Sequence, residues 1–250
     1  MRNKAVSLVL IFLASLFGGL VQAQTPDAVT VDGDLVDWPA DTLMQTDSNG
    51  VDFRLTWNES HLFLGWEGTD WKADFEGADL FVYLNTTQGG SVLARDWGFA
   101  HTLPFAADHG FVLEDDTYNQ HISHDGSSWI DRSTEVDLYA GWADNKVTEL
   151  ALPWAALDSP TSFDIVVYAQ WQDDGHVWAS FPTTNPASNN GAETFTHYWH
   201  AENVSNATSP QQLPIVQGGG IDKVSDALNL AIVFHQHQPY YKNKLTGMYE

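Results

Sequence analysis

Cysteine is absent from the 250 residues, which excludes a disulfide framework, a thiolate metal site and a cysteine nucleophile. Bases are scarce: 10 Lys and Arg stand against 33 Asp and Glu, a formal net charge of -23. Such a surface repels a phosphate backbone or an anionic membrane, so nucleic-acid binding is excluded. A long segment of 3.6-residue apolar period is also missing, which argues against helical architectures. What is present is an apolar fraction of 43 % with 17 % charged residues, enough to bury a core. The unusual entries are aromatic, with 11 Trp, 8 Tyr and 13 Phe.

The chain opens with Arg2 and Lys4, an apolar run from Ala5 to Leu20 and the small-residue pattern Val21-Gln22-Ala23. These are the three parts of a secretory signal. The mature chain is expected to begin near Gln24, secreted or periplasmic, with no membrane attachment once the signal (1–23) is removed. The run is shorter than the ~20 apolar residues of a membrane span, and no Cys follows for lipid anchoring. Removal of the signal takes away two bases and no acids, leaving 33 acids against 8 bases.

From Ala28 to about Glu202 short alternating segments are separated by Gly, Asn, Asp, Ser and Pro. Val51 to Trp57 and His61 to Glu67 flank Asn58-Glu59-Ser60 and predict a hairpin. Further strands are predicted at Asp79–Asn85, His109–Leu113, Glu135–Trp142, Val147–Leu152, Phe163–Gln172, His176–Phe181 and Phe195–Ala201. The pattern predicts an all-β fold, an antiparallel β-sandwich over 24–204. A stretch rich in Ser, Asn, Pro, Gln and Gly over 205–226 reads as a linker. Beyond it, Leu228-Asn229-Leu230-Ala231-Ile232-Val233-Phe234 is a nearly continuous apolar run, the mark of a strand buried on both faces. The region 227–250 therefore reads as the first strand of a β/α barrel, truncated because about 20 residues cannot close such a barrel.

Directly after that run come His235-Gln236-His237-Gln238-Pro239-Tyr240-Tyr241. In extended backbone His235 and His237 point to the same side, at the end of a barrel strand where active-site groups sit. Imidazoles there can bond sugar hydroxyls or ligate a metal. The segment Leu230 to Tyr241 closely resembles the first signature region of glycoside hydrolase family 57, the amylopullulanase and α-amylase type enzymes. The resemblance implies a retaining α-glucan hydrolase in which His237, in the His-Gln-Pro triplet, contacts substrate and His235 supports it. Retention needs two carboxyl groups about 5 to 5.5 Å apart. The resemblance puts them downstream, so no catalytic residue is assigned in this chain. The alternative for the same residues is a metal hydrolase whose His-x-His pair ligates zinc. Phe234 stands where that family has an acidic or small residue, and Gln238-Pro239-Tyr240-Tyr241 fits the glycosidase better.

The sandwich region carries a second resemblance. Val31-Asp32-Gly33-Asp34-Leu35-Val36-Asp37-Trp38, Thr56 to Leu64 and Glu149-Leu150-Ala151-Leu152-Pro153-Trp154-Ala155-Ala156-Leu157 resemble, in the right order, segments of family 9 carbohydrate-binding modules and DOMON-like sandwiches. The resemblance implies a module that binds carbohydrate. An exposed indole can stack on the C–H face of a pyranose while polar neighbours bond its hydroxyls. Trp57, Trp66 and Trp154 lie in strand patterns or shared motifs and are expected in the core. Trp71, Trp97 and Trp129 lie in polar, Gly-flanked segments and are the stacking candidates. Asp32, Asp34 and Asp37 suit tight turns, with a structural calcium ion the alternative they leave open. No other metal site and no organic cofactor is expected. Asn58, Asn85, Asn203 and Asn206 open N-x-S/T triplets. The two resemblances together imply the N-terminal portion of a secreted α-glucan-acting glycoside hydrolase with a carbohydrate-binding sandwich, its partner a polysaccharide. The alternative is a secreted β-sandwich binding or interaction module with no hydrolase activity.

Overall fold

The structure, a computed structural model, describes residues 29–68, 78–87, 89–96, 98–113, 119–132, 147–171, 173–187, 190–204 and 213–218. Its strands are β1 (Leu43–Thr46), β2 (Asp52–Trp57), β3 (His61–Glu67), β4 (Ala78–Asn85), β5 (Ser91–Leu93), β6 (Thr102–Ala107), β7 (His109–Leu113), β8 (Asn119–His124), β9 (Trp129–Asp131), β10 (Val147–Pro153), β11 (Ser162–Trp171), β12 (Val177–Phe181), β13 (His197–Glu202) and β14 (Ile215–Gln217). One sheet runs β1-β2-β3-β10 and a larger one β14-β13-β11-β4-β7-β8-β9, with β12 also on β11. The strands in each pair run antiparallel. The fold is an all-β antiparallel sandwich, as the short alternating segments predict. Among the described residues no helix is long and apolar enough to cross a membrane.

The β2–β3 hairpin shows how local chemistry sets the register. Asn58 Oδ1 accepts hydrogen bonds from Ser60 N at 2.8 Å, Ser60 Oγ at 2.9 Å and His61 N at 2.9 Å. A short polar side chain that captures the backbone two and three residues on fixes a tight turn, and the pairing that follows sets Trp57 opposite Leu62 and Phe53 opposite Trp66. Phe53, Leu55, Trp57, Leu62, Leu64, Trp66, Leu150 and Leu152 then face Leu80, Val82, Phe111, Ile165, Val167 and Trp199 of the larger sheet in one apolar cluster. The three tryptophans expected in the core are there, with Trp57 3 %, Trp66 0 % and Trp154 8 % exposed.

Both outer faces are covered as well. The smaller sheet carries residues 29–38, whose Val29 and Trp38 pack on Phe63. This is why Phe63, on the face away from the sandwich core, is buried. Gly65 permits the close approach: a Cβ there would lie 3.2 Å from the Trp38 ring and from Leu35. The link is Glu149 on β10. One carboxylate oxygen accepts from Asp32 N at 2.9 Å and Gly33 N at 2.5 Å, and the other from Trp38 Nε1 at 2.7 Å. Two of the motifs of the second resemblance therefore meet at one buried carboxylate. Burial raises the Glu149 pKa, against the three donors, which lower it. On the larger sheet, β5 and β6 cover Phe81, Tyr83, Val112, Val166 and Tyr168 with Leu103, Phe105 and Ala107.

Six strands were not marked by alternation. β8 places the polar His121 and Ser123 at buried positions, β6 contains Pro104, and β1, β5 and β9 are only 4, 3 and 3 residues long. The sixth, β14, lies inside the stretch read as linker: Ile215–Gln217 pair with His197–Trp199, and Gly218 N bonds Thr196 O at 2.8 Å. Residues 215–218 of that stretch thus join the edge of the larger sheet. The Pro, Gln and Gly around Leu213-Pro214-Ile215-Val216 mask a β-forming tetrapeptide. The predicted strand Glu135–Trp142, the signal 1–23 and the barrel-like region 227–250 lie outside the described residues.

Candidate functional site

Of the residues singled out for binding, Trp71, Trp97, His235 and His237 lie outside the described residues. Trp129 is described, and the structure places it on a strand, not in a loop. Asp125 Oδ1 accepts from Ser127 N, Ser127 Oγ and Ser128 N at 2.9, 2.8 and 2.8 Å. The backbone N–H groups of Ser127 and Ser128 hold its carboxyl down at about 2. The polar residues that precede Trp129 are thus consumed in the β8–β9 turn, and Trp129 begins β9 opposite His124.

Three contacts fix the indole. Its Nε1 donates to Leu93 O at 3.1 Å. Its ring meets His124 at 5.3 Å and 78° and Tyr83 at 5.6 Å and 62°. Tyr83 is fully buried and donates its hydroxyl to Arg95 O at 2.7 Å, so one side chain ties segment 93–95 and the indole to β4. Burial pushes the Tyr83 pKa far up, which keeps the hydroxyl a donor. The Tyr83 ring occupies space opened by Gly110, where a Cβ would lie 2.8 Å from Tyr83 Cε1. Trp129 remains partly exposed and Leu93 beside it is 51 % exposed. The result is a rigid aromatic-aliphatic surface with an imidazole next to it, able to contact the C–H face of a sugar ring. Trp129 could be read from its residue type. Tyr83, Leu93 and His124 could not, because their role depends on sheet order.

His109 Nδ1 and His121 Nε2 are 3.0 Å apart, and His109 Nε2 lies 3.4 Å from Asp158 Oδ2. With His109 donating to Asp158, His121 donates to His109 and is left with a buried, unpartnered Nδ1. Burial lowers both imidazoles, His121 to about 3, with the neighbouring His109 adding to the effect on His121. His101 accepts Glu193 N at Nδ1 at 2.8 Å and donates Nε2–H to Gln170 Oε1 at 2.5 Å. On the outer face His200 Nδ1 bonds Asp164 Oδ1 at 2.7 Å, while Asp164 Oδ2 accepts from Asn85 Nδ2 at 2.9 Å. That pair touches no serine or threonine hydroxyl among the described residues, so it has no nucleophile to activate.

Asp32, Asp34 and Asp37 serve turns. They accept from Asp34 N at 3.0 Å, Val36 N at 2.9 Å and Thr30 N at 2.6 Å respectively. Among the described residues no group of three or more His, Cys, Asp or Glu is arranged to hold a metal ion.

Compared with protein-family models, with curated proteins and with solved structures, the chain matches none. The resemblances read in its motifs therefore rest on those residues alone.

Proposed function

We propose that the sandwich is a carbohydrate-binding module with Trp129 in its binding surface, and that it belongs to the N-terminal portion of a secreted α-glucan-acting glycoside hydrolase. The observation that carries the binding role is the anchored but partly exposed Trp129 indole, with its N–H turned to Leu93 O and its ring in T-shaped contact with Tyr83 and His124. A fixed indole loses little entropy on stacking. The hydrolase context is supported by the segment Leu230 to Tyr241, with His235 and His237 facing substrate. The secretory signal supports export, and the charge of -23 favours an uncharged polysaccharide over an anionic one.

One stacked ring contributes on the order of 1 kcal/mol, so affinity is expected in the micromolar to millimolar range. The test is depletion of the protein onto insoluble starch granules. The wild type should be retained, and Trp71→Ala, Trp97→Ala and Trp129→Ala should each be retained less while still melting cooperatively. A wild type that stays in the supernatant on every neutral polysaccharide contradicts the reading. Residues 24–250 should also release no reducing sugar from starch, because the catalytic carboxyl pair is assigned outside this chain.

A further inference from the structure

At the rim of the sandwich, the β1–β2 turn faces the loop that follows β12 across a cleft of about 240 Å³ lined by Thr46, Asp47, Ser48, Ser180, Thr183 and Ala187. Both walls are held by the protein. Asp47 Oδ1 accepts from Asn49 N and Val51 N, each at 2.8 Å, which locks the turn. Opposite, Thr183 N donates to Gln45 Oε1 at 2.8 Å. The buried Asn185 clamps the rest of that loop, accepting from Thr196 N at 2.9 Å and His197 N at 2.8 Å and donating to His197 O at 2.8 Å. Ser180, 3 % exposed, donates to Asn185 O at 3.2 Å. The cleft thus needs no rearrangement to receive a ligand, which removes an ordering cost from binding.

Its lining has unused hydrogen-bonding capacity. Among the described residues Asp47 Oδ2, Ser48 Oγ and Thr183 Oγ1 take no partner, while Thr46 Oγ1 donates to Asp52. The free hydroxyls of Ser48 and Thr183 can donate and accept and the Asp47 carboxylate can accept, which matches a ligand that carries several hydroxyl groups. No Lys, Arg or His lines the cleft, so an anion finds no counter-charge. A hard cation needs six to eight oxygens at about 2.3–2.6 Å, and a single carboxylate in a cleft of this width does not supply them. The volume lies below the roughly 300–1,000 Å³ of sites for drug-sized ligands. From these features we infer that the cleft is a second carbohydrate site, separate from Trp129, that takes one uncharged sugar ring with Asp47, Ser48 and Thr183 as its hydrogen-bonding groups. The ligand class rests on the carbohydrate-binding reading above; the location does not. β12 and β9 are five strand steps apart, roughly 24 Å at ~4.8 Å per step, so one ring cannot touch both places.

Saturation-transfer NMR on the intact chain with D-glucose and with maltose tests this. The wild type should transfer saturation to sugar ring protons. In a Trp129→Ala background, which silences the first site, Ala187→Tyr, which fills the cleft, and Thr183→Val, which removes one hydroxyl but keeps the backbone bond to Gln45, should each cut the remaining transfer several-fold. Thr183→Val decides the matter if Ala187→Tyr does not melt cooperatively. Transfer that is absent in the wild type, or unchanged in the cleft variants, overturns the site. Granule retention separates the two readings: a cleft without effect in a protein that still binds starch removes only the cleft, whereas loss of both removes the module. An effect of added calcium on the cleft amides that sugars do not reproduce would contradict the assignment as well.

Discussion

A buried imidazole is a base kept uncharged by its surroundings, and the pair His109 and His121 makes that a stability effect. His121 is fully buried against Phe111, with ring centroids 4.5 Å apart, and its pKa falls from 6.5 to about 3, first through burial, then through the charges on His109 and Arg132, with Asp131 opposing. The folded pKa of this base lies below the unfolded one. Its contribution is therefore whole above pH 6.5 and is lost as the pH falls, because the unfolded chain takes the proton first. The loss can reach about 1.4 kcal/mol per pH unit between 6.5 and about 3. Glu149 acts in the other sense, since a raised carboxyl favours folding as the pH drops from above its folded pKa toward the ordinary carboxylate value. Denaturant unfolding of the wild type from pH 7 to pH 4 should show declining stability. His121→Phe, which keeps a ring on Phe111, should flatten that decline, and an unchanged slope would mean that the pair does not control acid stability.

At the scale of elements, the covers on the two sheets depend on few side chains. The segment 29–38 is held to the smaller sheet by Glu149, whose removal leaves Asp32 N, Gly33 N and Trp38 Nε1 without an acceptor. A hydrogen bond to a charged group contributes about 1.5–3 kcal/mol. Glu149→Ala should therefore speed hydrogen exchange at the Asp32 and Gly33 amides and the Trp38 indole roughly 10- to 100-fold, while the β11 amides stay protected. Exchange that rises equally in β11 would make Glu149 part of the global core. The edge strand β14 gives a second case. A chain ending at 204 lacks the partner of His197–Trp199, so it should melt several degrees lower than one ending at 218, and equal melting temperatures would show that β14 contributes nothing. The strands that sequence made visible are those with apolar alternation and turn residues between them, such as β2, β3, β7 and β11. β8 was not visible because its inward positions are Asn119, His121 and Ser123, polar groups that only the completed sheet makes acceptable. β14 was hidden by composition.

Across the whole molecule, the layers are a short N-terminal cover, a four-stranded sheet, an eight-stranded sheet and the β5–β6 cover, and Trp129 sits where the last of these meets the hairpin β8–β9. Sequence could identify Trp129 as a tryptophan in a polar setting. It could not show that Tyr83, 46 residues earlier, and Leu93 hold the indole, because that depends on β4, β7, β8 and β9 lying side by side. Nor could it bring residues 46–48 against 180–187, since that cleft forms only when the two sheets stack. The central claim is that this surface binds an uncharged polysaccharide through a fixed indole. The most direct measurement is the dissociation constant of residues 24–250 for a soluble linear maltooligosaccharide, by calorimetry, for the wild type and for Trp129→Ala. Loss of one stacked ring at about 1 kcal/mol should raise the constant roughly fivefold in a variant that still melts cooperatively. An identical constant in the two proteins, or a wild type that binds no such sugar, would contradict the account.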